Sequence, residues 1–360
     1  MRTIFCSIIV FQIIIFIIVV NMYMKMTQKL SLLFSLTIVL SLFNSLELKA
    51  QDPEFTQFYA NPLYLNPAFA GSMRCPRLAM NYRNQWPAIN RAYITYSASY
   101  DQHVDAIGGG LGVLVVSDVA GNGTLNTTNV SMIYSYFLPV TKDFSIKAGI
   151  QGTFAQKRLD FTKLTFGDMI DPRMGFSNMS QEIDPSRTAS NVNFSAGILG
   201  YSKLFYIGGS AHHLLNANEA FTNGGNSPLP MKISAHTGAV IPLSDSPQNR
   251  RKRKSGQNVM PESSISPNIL YRRQGDFQQL NLGVYVTKGP VVGGLWYRNQ
   301  DAFIVLLGFQ MPNFRFGYSY DVTISKLSNA SAGSHELSMT IQFDCKPKKK
   351  RFVPVSCPSF

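Results

Sequence analysis

Three short runs in this 360-residue chain hold residue types that chemistry uses. Gly108-Gly109-Gly110-Leu111-Gly112 has the glycine density of a phosphate cradle. It lacks a following Gly-Lys-Ser/Thr and runs into Leu114-Val115-Val116 instead of opening a helix. Glycine at a strand bend or a close lumenal contact is the better expectation. His212-His213 could ligate a metal, but His103, His236 and His335 are scattered and no second cluster has partner spacing. A packing role at a strand end is expected. Ser334-His335-Glu336 contains a nucleophile, a base and an acid, yet neighbours on a strand point to opposite faces. No catalytic residue, metal ligand or cofactor site is therefore assigned, and the chain is expected not to be an enzyme.

Charge and sulfur are the remaining chemistry. The net charge is +13, concentrated in Arg250-Arg251-Lys252-Arg253-Lys254 and in Lys346 with Lys348-Lys349-Lys350-Arg351. Such runs suit phosphate or acidic protein surfaces. An exported chain meets no nucleic acid in its normal work, so acidic protein partners are expected. Of the four cysteines, Cys6 sits in the N-terminal apolar region, leaving Cys75, Cys345 and Cys357 as disulfide candidates. No C-x-x-C occurs.

Export follows from the first 50 residues. Ile4–Val20 is apolar. Met24-Lys25-Met26-Thr27-Gln28-Lys29 then precedes a second apolar run, Leu30–Phe43, and Leu48-Lys49-Ala50 precedes Gln51. A basic start, an apolar run and a small residue form a signal-peptide pattern. Residues 1–23 read as an over-extended start; a helical anchor at Ile4–Val20 is the alternative.

The elements that must position the remaining residues are strands. Ala92, Ile94, Tyr96, Ala98 and Tyr100 alternate with polar positions. So do Ile146, Ala148 and Ile150, then Val192, Phe194, Ala196 and Ile198, then Leu280, Leu282, Val284 and Val286, then Leu337, Met339, Ile341 and Phe343. This is period two. Charged residues make up only 15 % of the chain, against 25 Phe and 16 Tyr, which excludes disorder. The apolar parity could be the core of a soluble sandwich or the lipid face of an outer-membrane barrel. Strands of about ten residues, aromatics near their ends (Trp86, Tyr201, Tyr271, Tyr297) and Lys147, Arg315, Asp321 and Glu336 on the polar parity favour the barrel.

The expected fold is all-β, a single antiparallel transmembrane β-barrel of about 14 strands over residues 77–343. An even count puts both ends of the barrel domain in the periplasm. The long connections 159–190, 213–230 and 323–333 then lie outside, with Phe161, Phe166, Phe176 and Phe221 as candidate partner-binding anchors. The Arg250–Lys254 run and the basic tail 344–360 lie inside, as candidate docking segments for acidic partners. Residues 51–76, rich in Pro, Asn and aromatics, are expected to tuck into the periplasmic mouth as a partial plug. Barrel closure sets the last strand beside the first. It brings Cys75 near Cys345, with a Cys345–Cys357 bond as the alternative.

Several phrases carry a resemblance. They are Gln51-Asp52-Pro53-Glu54-Phe55-Thr56-Gln57-Phe58-Tyr59, the stretch Asn61 to Gly71, Tyr82-Arg83-Asn84-Gln85-Trp86-Pro87, and Ser210-Ala211-His212-His213-Leu214. With them come Leu295-Trp296-Tyr297-Arg298, Gly317-Tyr318-Ser319-Tyr320-Asp321, Gly333-Ser334-His335-Glu336-Leu337 and the cysteine-bearing tail. Together they resemble the PorP/SprF family of the Bacteroidetes. The resemblance implies an outer-membrane barrel working with the type IX secretion system and, in some members, gliding motility. Its implied partners are the secretion machinery, outer-membrane lipid and secreted adhesins or other cargo bearing C-terminal sorting domains. A channel for small or apolar solutes is the alternative function.

Overall fold

The computed structural model describes residues 51–73, 75–89, 92–141, 144–171, 173–176, 180, 187–202, 204–221, 225–244, 263–325 and 331–343. The leader 1–50, the Arg250–Lys254 run, Cys345, Cys357 and the basic tail lie outside the described residues.

Alternating apolar and polar side chains produce fourteen antiparallel strands among the described residues. They are β1 (Arg77–Gln85), β2 (Tyr93–Val104), β3 (Gly109–Ala120), β4 (Leu125–Pro139), β5 (Phe144–Leu159), β6 (Arg187–Ser202) and β7 (Phe205–His212). Then come β8 (Lys232–Ala239, carried on by Ile241–Ser244), β9 (Ser263–Gln274), β10 (Phe277–Lys288), β11 (Val291–Arg298), β12 (Ala302–Gln310), β13 (Phe314–Thr323) and β14 (Ser334–Gln342). Each pairs with its neighbours in sequence. The ring closes through β1 and β14, in register from Arg77↔Gln342 to Gln85↔Ser334. Closure leaves no long sheet edge in the hydrocarbon, which has no water to satisfy one.

The apolar parity faces out. Met132, Ile150, Ile198, Ile207, Leu295, Phe303 and Leu307 are exposed, whereas Ser97, Ser135, Lys147, Asn193, Ser234 and Ser319 on the other parity are buried. A sandwich would invert this. The exposed apolar side chains form a lipid-facing band, and the polar parity lines a lumen.

The two rims differ. At one, which we call the near rim, β1 begins, β14 ends and the described links are short, such as Gly289-Pro290, while the longer β8–β9 connection on this rim lies outside the described residues. At the far rim lie the connections between β5 and β6, between β7 and β8, and between β13 and β14. The β5–β6 connection carries a small hairpin pairing Ile170–Asp171 with Gly175–Phe176. β6 starts at Arg187, so residues 187–190, expected in a loop, extend the wall instead.

Candidate functional site

Residues 55–73 are the most deeply buried stretch of the described chain. Phe55, Phe58, Tyr59, Leu63, Ala68 and Phe69 are each at most 2 % exposed, as are Thr56, Gln57, Asn61 and Asn66. The segment lies in the lumen. It enters beside the far-rim ends of β7, β8 and β9, where Asp52 meets His213, Lys232 and Gln274. It leaves at the near rim, where Arg77 donates to the Ser72 hydroxyl and forms an ion pair with Asp101 at 2.8 Å. It therefore runs from rim to rim, and is not confined to the mouth where β1 begins. Only short helical turns form along it, at Pro62–Leu65 and Pro67–Phe69, where prolines at the first helical positions set φ without needing a donor.

Its first anchor is a buried charge cluster. Arg83 of β1, Arg298 of β11, Asp321 of β13 and Glu336 of β14 all point inward and are at most 4 % exposed. Arg83 contacts Asp321 at 2.9 Å and Glu336 at 3.2 Å, and Arg298 contacts Asp321 at 3.4 Å. Two positive and two negative groups balance, so burial leaves no uncompensated charge. The segment completes the cluster. The Thr56 and Gln57 backbone N–H groups donate to the two Glu336 carboxylate oxygens at 2.6 and 3.0 Å. The Thr56 hydroxyl donates to Asp321 at 2.7 Å and accepts from Arg83 and Arg298.

Below this cluster the contact is aromatic. Phe58 meets Trp296 edge-on at 5.1 Å, and Tyr59 meets Tyr206 at 5.7 Å. Deeper still the fit is backbone to backbone. A Cβ on Gly110 would stand 2.2 Å from the Ala70 carbonyl oxygen, and one on Gly149 would stand 2.4 Å from the Ala68 nitrogen. Glycine is needed at both so the chains can touch. Lys147 and Ser135 donate to the same Ala70 carbonyl. The Asn66 side-chain amide donates to the backbone carbonyls of Ile198 and Gly209 at 3.1 and 3.0 Å.

A second ionic anchor holds the far-rim end. Asp52 pairs with Lys232 and with His213 (2.7 Å), and Glu54 pairs with Arg272 (3.6 Å). Burial alone would raise the Asp52 carboxyl. Lys232 and His213 outweigh it and hold the group well below its ordinary value.

Gly110 and Gly112 face the segment. His212 is buried at the end of β7, while His213, at φ +60°, turns to Asp52. Ser334 and Glu336 point inward; His335 points away and bonds the Tyr318 hydroxyl at 2.8 Å. Phe161 and Phe166 stack at 6.2 Å, with the Arg187 guanidinium over Phe161, whereas Phe176 lies on the small hairpin and Phe221 in the β7–β8 connection. Cys75 is disulfide-bonded. The charge cluster is not legible locally, because its members lie up to 253 residues apart. The available signal was that Arg83, Arg298, Asp321 and Glu336 each sit in one of the phrases carrying the family resemblance, as Thr56 and Gln57 do. Those phrases meet in the lumen.

The family model described as type IX secretion system membrane protein PorP/SprF matches residues 47–341. Among solved structures the chain is similar to the toluene transporter TbuX of Ralstonia pickettii, at 9 % identity and a TM-score of 0.43 over 78 % of this chain and 93 % of that one. It is similar also to the monoaromatic hydrocarbon channel CymD, at 13 % and 0.42 over 80 % and 94 %. A FadL homologue of Pseudomonas aeruginosa gives 10 % and 0.41 over 79 % and 94 %. No curated protein matches the chain. The barrel and the family match place the molecule in the outer membrane.

Proposed function

The chain belongs to the PorP/SprF family of type IX secretion system membrane proteins, and from that premise we propose a non-enzymatic role in binding secreted cargo and placing or anchoring it at the cell surface. The cargo class is proteins bearing C-terminal sorting domains. One observation carries this reading: the lumen holds the chain's own segment from rim to rim, through ion pairs, ring contacts and backbone contacts. Recognition then falls to the rims. The far rim, with the long connections and Phe161, Phe166, Phe176 and Phe221, is read as the cell-surface side. The near rim, where β1 starts and β14 ends, is read as periplasmic. There the Arg250–Lys254 run and the Lys348–Arg351 tail dock acidic surfaces of the secretion machinery.

Deleting residues 165–185 tests the reading. Cells producing the variant are expected to lose cargo from their surface while the barrel still folds, judged by heat-modifiable gel migration. Unchanged retention would remove the loops from the mechanism. Purified barrel in planar bilayers is expected to show no steady conductance. Stable open-pore currents would favour a solute channel instead.

A further inference from the structure

The wall is not of even height. β6 pairs with β5 along its whole length, from Leu159↔Arg187 to Phe144↔Ser202. Its pairing with β7 covers only Ala196 to Tyr201. Towards the far rim, Leu214 N–H still reaches the Phe194 carbonyl, and the Asn193 side chain takes the N–H groups of Phe194 and Leu215. Beyond that point the edge of β6 has no strand beside it among the described residues.

Parity identifies the free groups. Phe194 offers its carbonyl to the β7 side, so Val192, Ser190 and Thr188 direct both N–H and C=O the same way. That is a row of three donors and three acceptors at strand spacing. All three residues are exposed.

The rows of the sheet give the depth of this edge. Val130, Phe154 and Val192 are cross-strand partners and carry exposed apolar side chains. The next outward-facing row is Thr128, Gln156 and Ser190, and the one above it is Asn126, Arg158 and Thr188. The apolar band ends at Val192. The free edge rises from the membrane into water, where unpaired backbone groups are tolerated and accessible.

We propose that this edge, Thr188 to Val192 on β6, is a β-augmentation site that takes an extended segment of a secreted polypeptide as an added antiparallel strand. The proposal rests on the cargo-binding reading in taking the far rim as the cell-surface side. A lipid cannot supply alternating N–H and C=O groups. Nor does a second copy of this chain fit, since copies inserted the same way run β6 in the same direction and cannot pair these edges antiparallel. Recognition is through backbone, with Arg158 beside Thr188 favouring an acidic residue at the tip.

Proline tests it. The N–H of Ser190 points away from β5, so Ser190→Pro removes an edge donor and leaves the β5–β6 ladder intact. Ser190→Pro is expected to cut surface-retained cargo about tenfold, and Ser190→Ala to leave it unchanged. Thr188→Pro should act as Ser190→Pro does and serves if that variant does not fold. A photo-crosslinker at Ser190 in living cells should join a contiguous stretch of a secreted protein, with adducts at every second residue. Full retention by a folded proline variant would overturn the edge site, as would loss with Ser190→Ala or crosslinks only between copies of this chain. If retention also survives deletion of 165–185, the cargo-binding reading fails with it. If only the deletion abolishes retention, that reading stands and the edge site alone fails.

Discussion

Thr56 and Glu336 stand 280 positions apart in the chain, yet the Thr56 N–H donates to the Glu336 carboxylate at 2.6 Å in the interior. The contact ties the lumenal segment to the last strand. Replacing Glu336 by Ala orphans two backbone N–H groups and leaves Arg83 and Arg298 sharing Asp321. Removing one partner of a buried ionic cluster costs about 3–5 kcal/mol. Glu336→Ala is expected to lower the unfolding midpoint and expose residues 51–73 to protease, with Glu336→Gln intermediate. Wild-type resistance in both variants would show that the cluster does not hold the segment.

Gly149 gives a steric test in the deeper half. A valine there drives its side chain into the backbone of Pro67 and Ala68. Overpacking of this kind costs about 1–3 kcal/mol. Gly149→Val should yield an intact barrel with a protease-sensitive segment. Gly293 has no atom within 4 Å of its would-be Cβ, so Gly293→Val serves as a control. Equal behaviour of the two variants would contradict the close fit.

Acid should release the far-rim anchor late. The Asp52 carboxyl is held below its ordinary value of 3.8. A group depressed in the folded state contributes stability above its unfolded value and loses it as pH falls through the folded one. Docking of residues 51–54 should therefore persist as pH falls to about 4 and weaken only below that. Hydrogen exchange of this stretch, corrected for intrinsic rate, would measure it. Release between pH 6 and 5 would refute the assignment.

The seam predicts a covalent link. The Phe343 N–H donates to the Pro76 carbonyl at 2.9 Å, continuing the β1–β14 ladder to the near rim. Cys75 lies one residue further on and is disulfide-bonded. We expect its partner to be Cys345, with Cys357 free. Non-reducing peptide mapping should recover a Cys75–Cys345 pair; a Cys75–Cys357 pair would show that the tail folds back.

Much of the wall was readable in sequence, because lipid on one side enforces strict alternation. Segments such as 77–85 and 191–201 fall on β1 and within β6. The added turn of wall at Arg187–Ser190 was not, since above the lipid band polar residues occupy both faces and the alternation fades. The interior was harder still. Residues 51–73 have no period, and their partners are contributed by nearly every strand. Asp321 and Glu336 could be placed on the inward parity, but nothing local matches them with Arg83 or Thr56. Ser334-His335-Glu336 is a row of reactive residue types in sequence, while in the fold Glu336 accepts two backbone N–H groups.

The rim-to-rim path of residues 51–73 also fixes an order of assembly. Thr56 has no carboxylate to bind until Asp321 and Glu336 have been made and delivered, so an early part of this stretch waits on the last two strands. The staves must close around the thread, or the thread must be drawn through an already sealed hoop. In the first case the inner segment acts as a mandrel that sets the girth of the cylinder, and shortening it should alter how the hoop shuts.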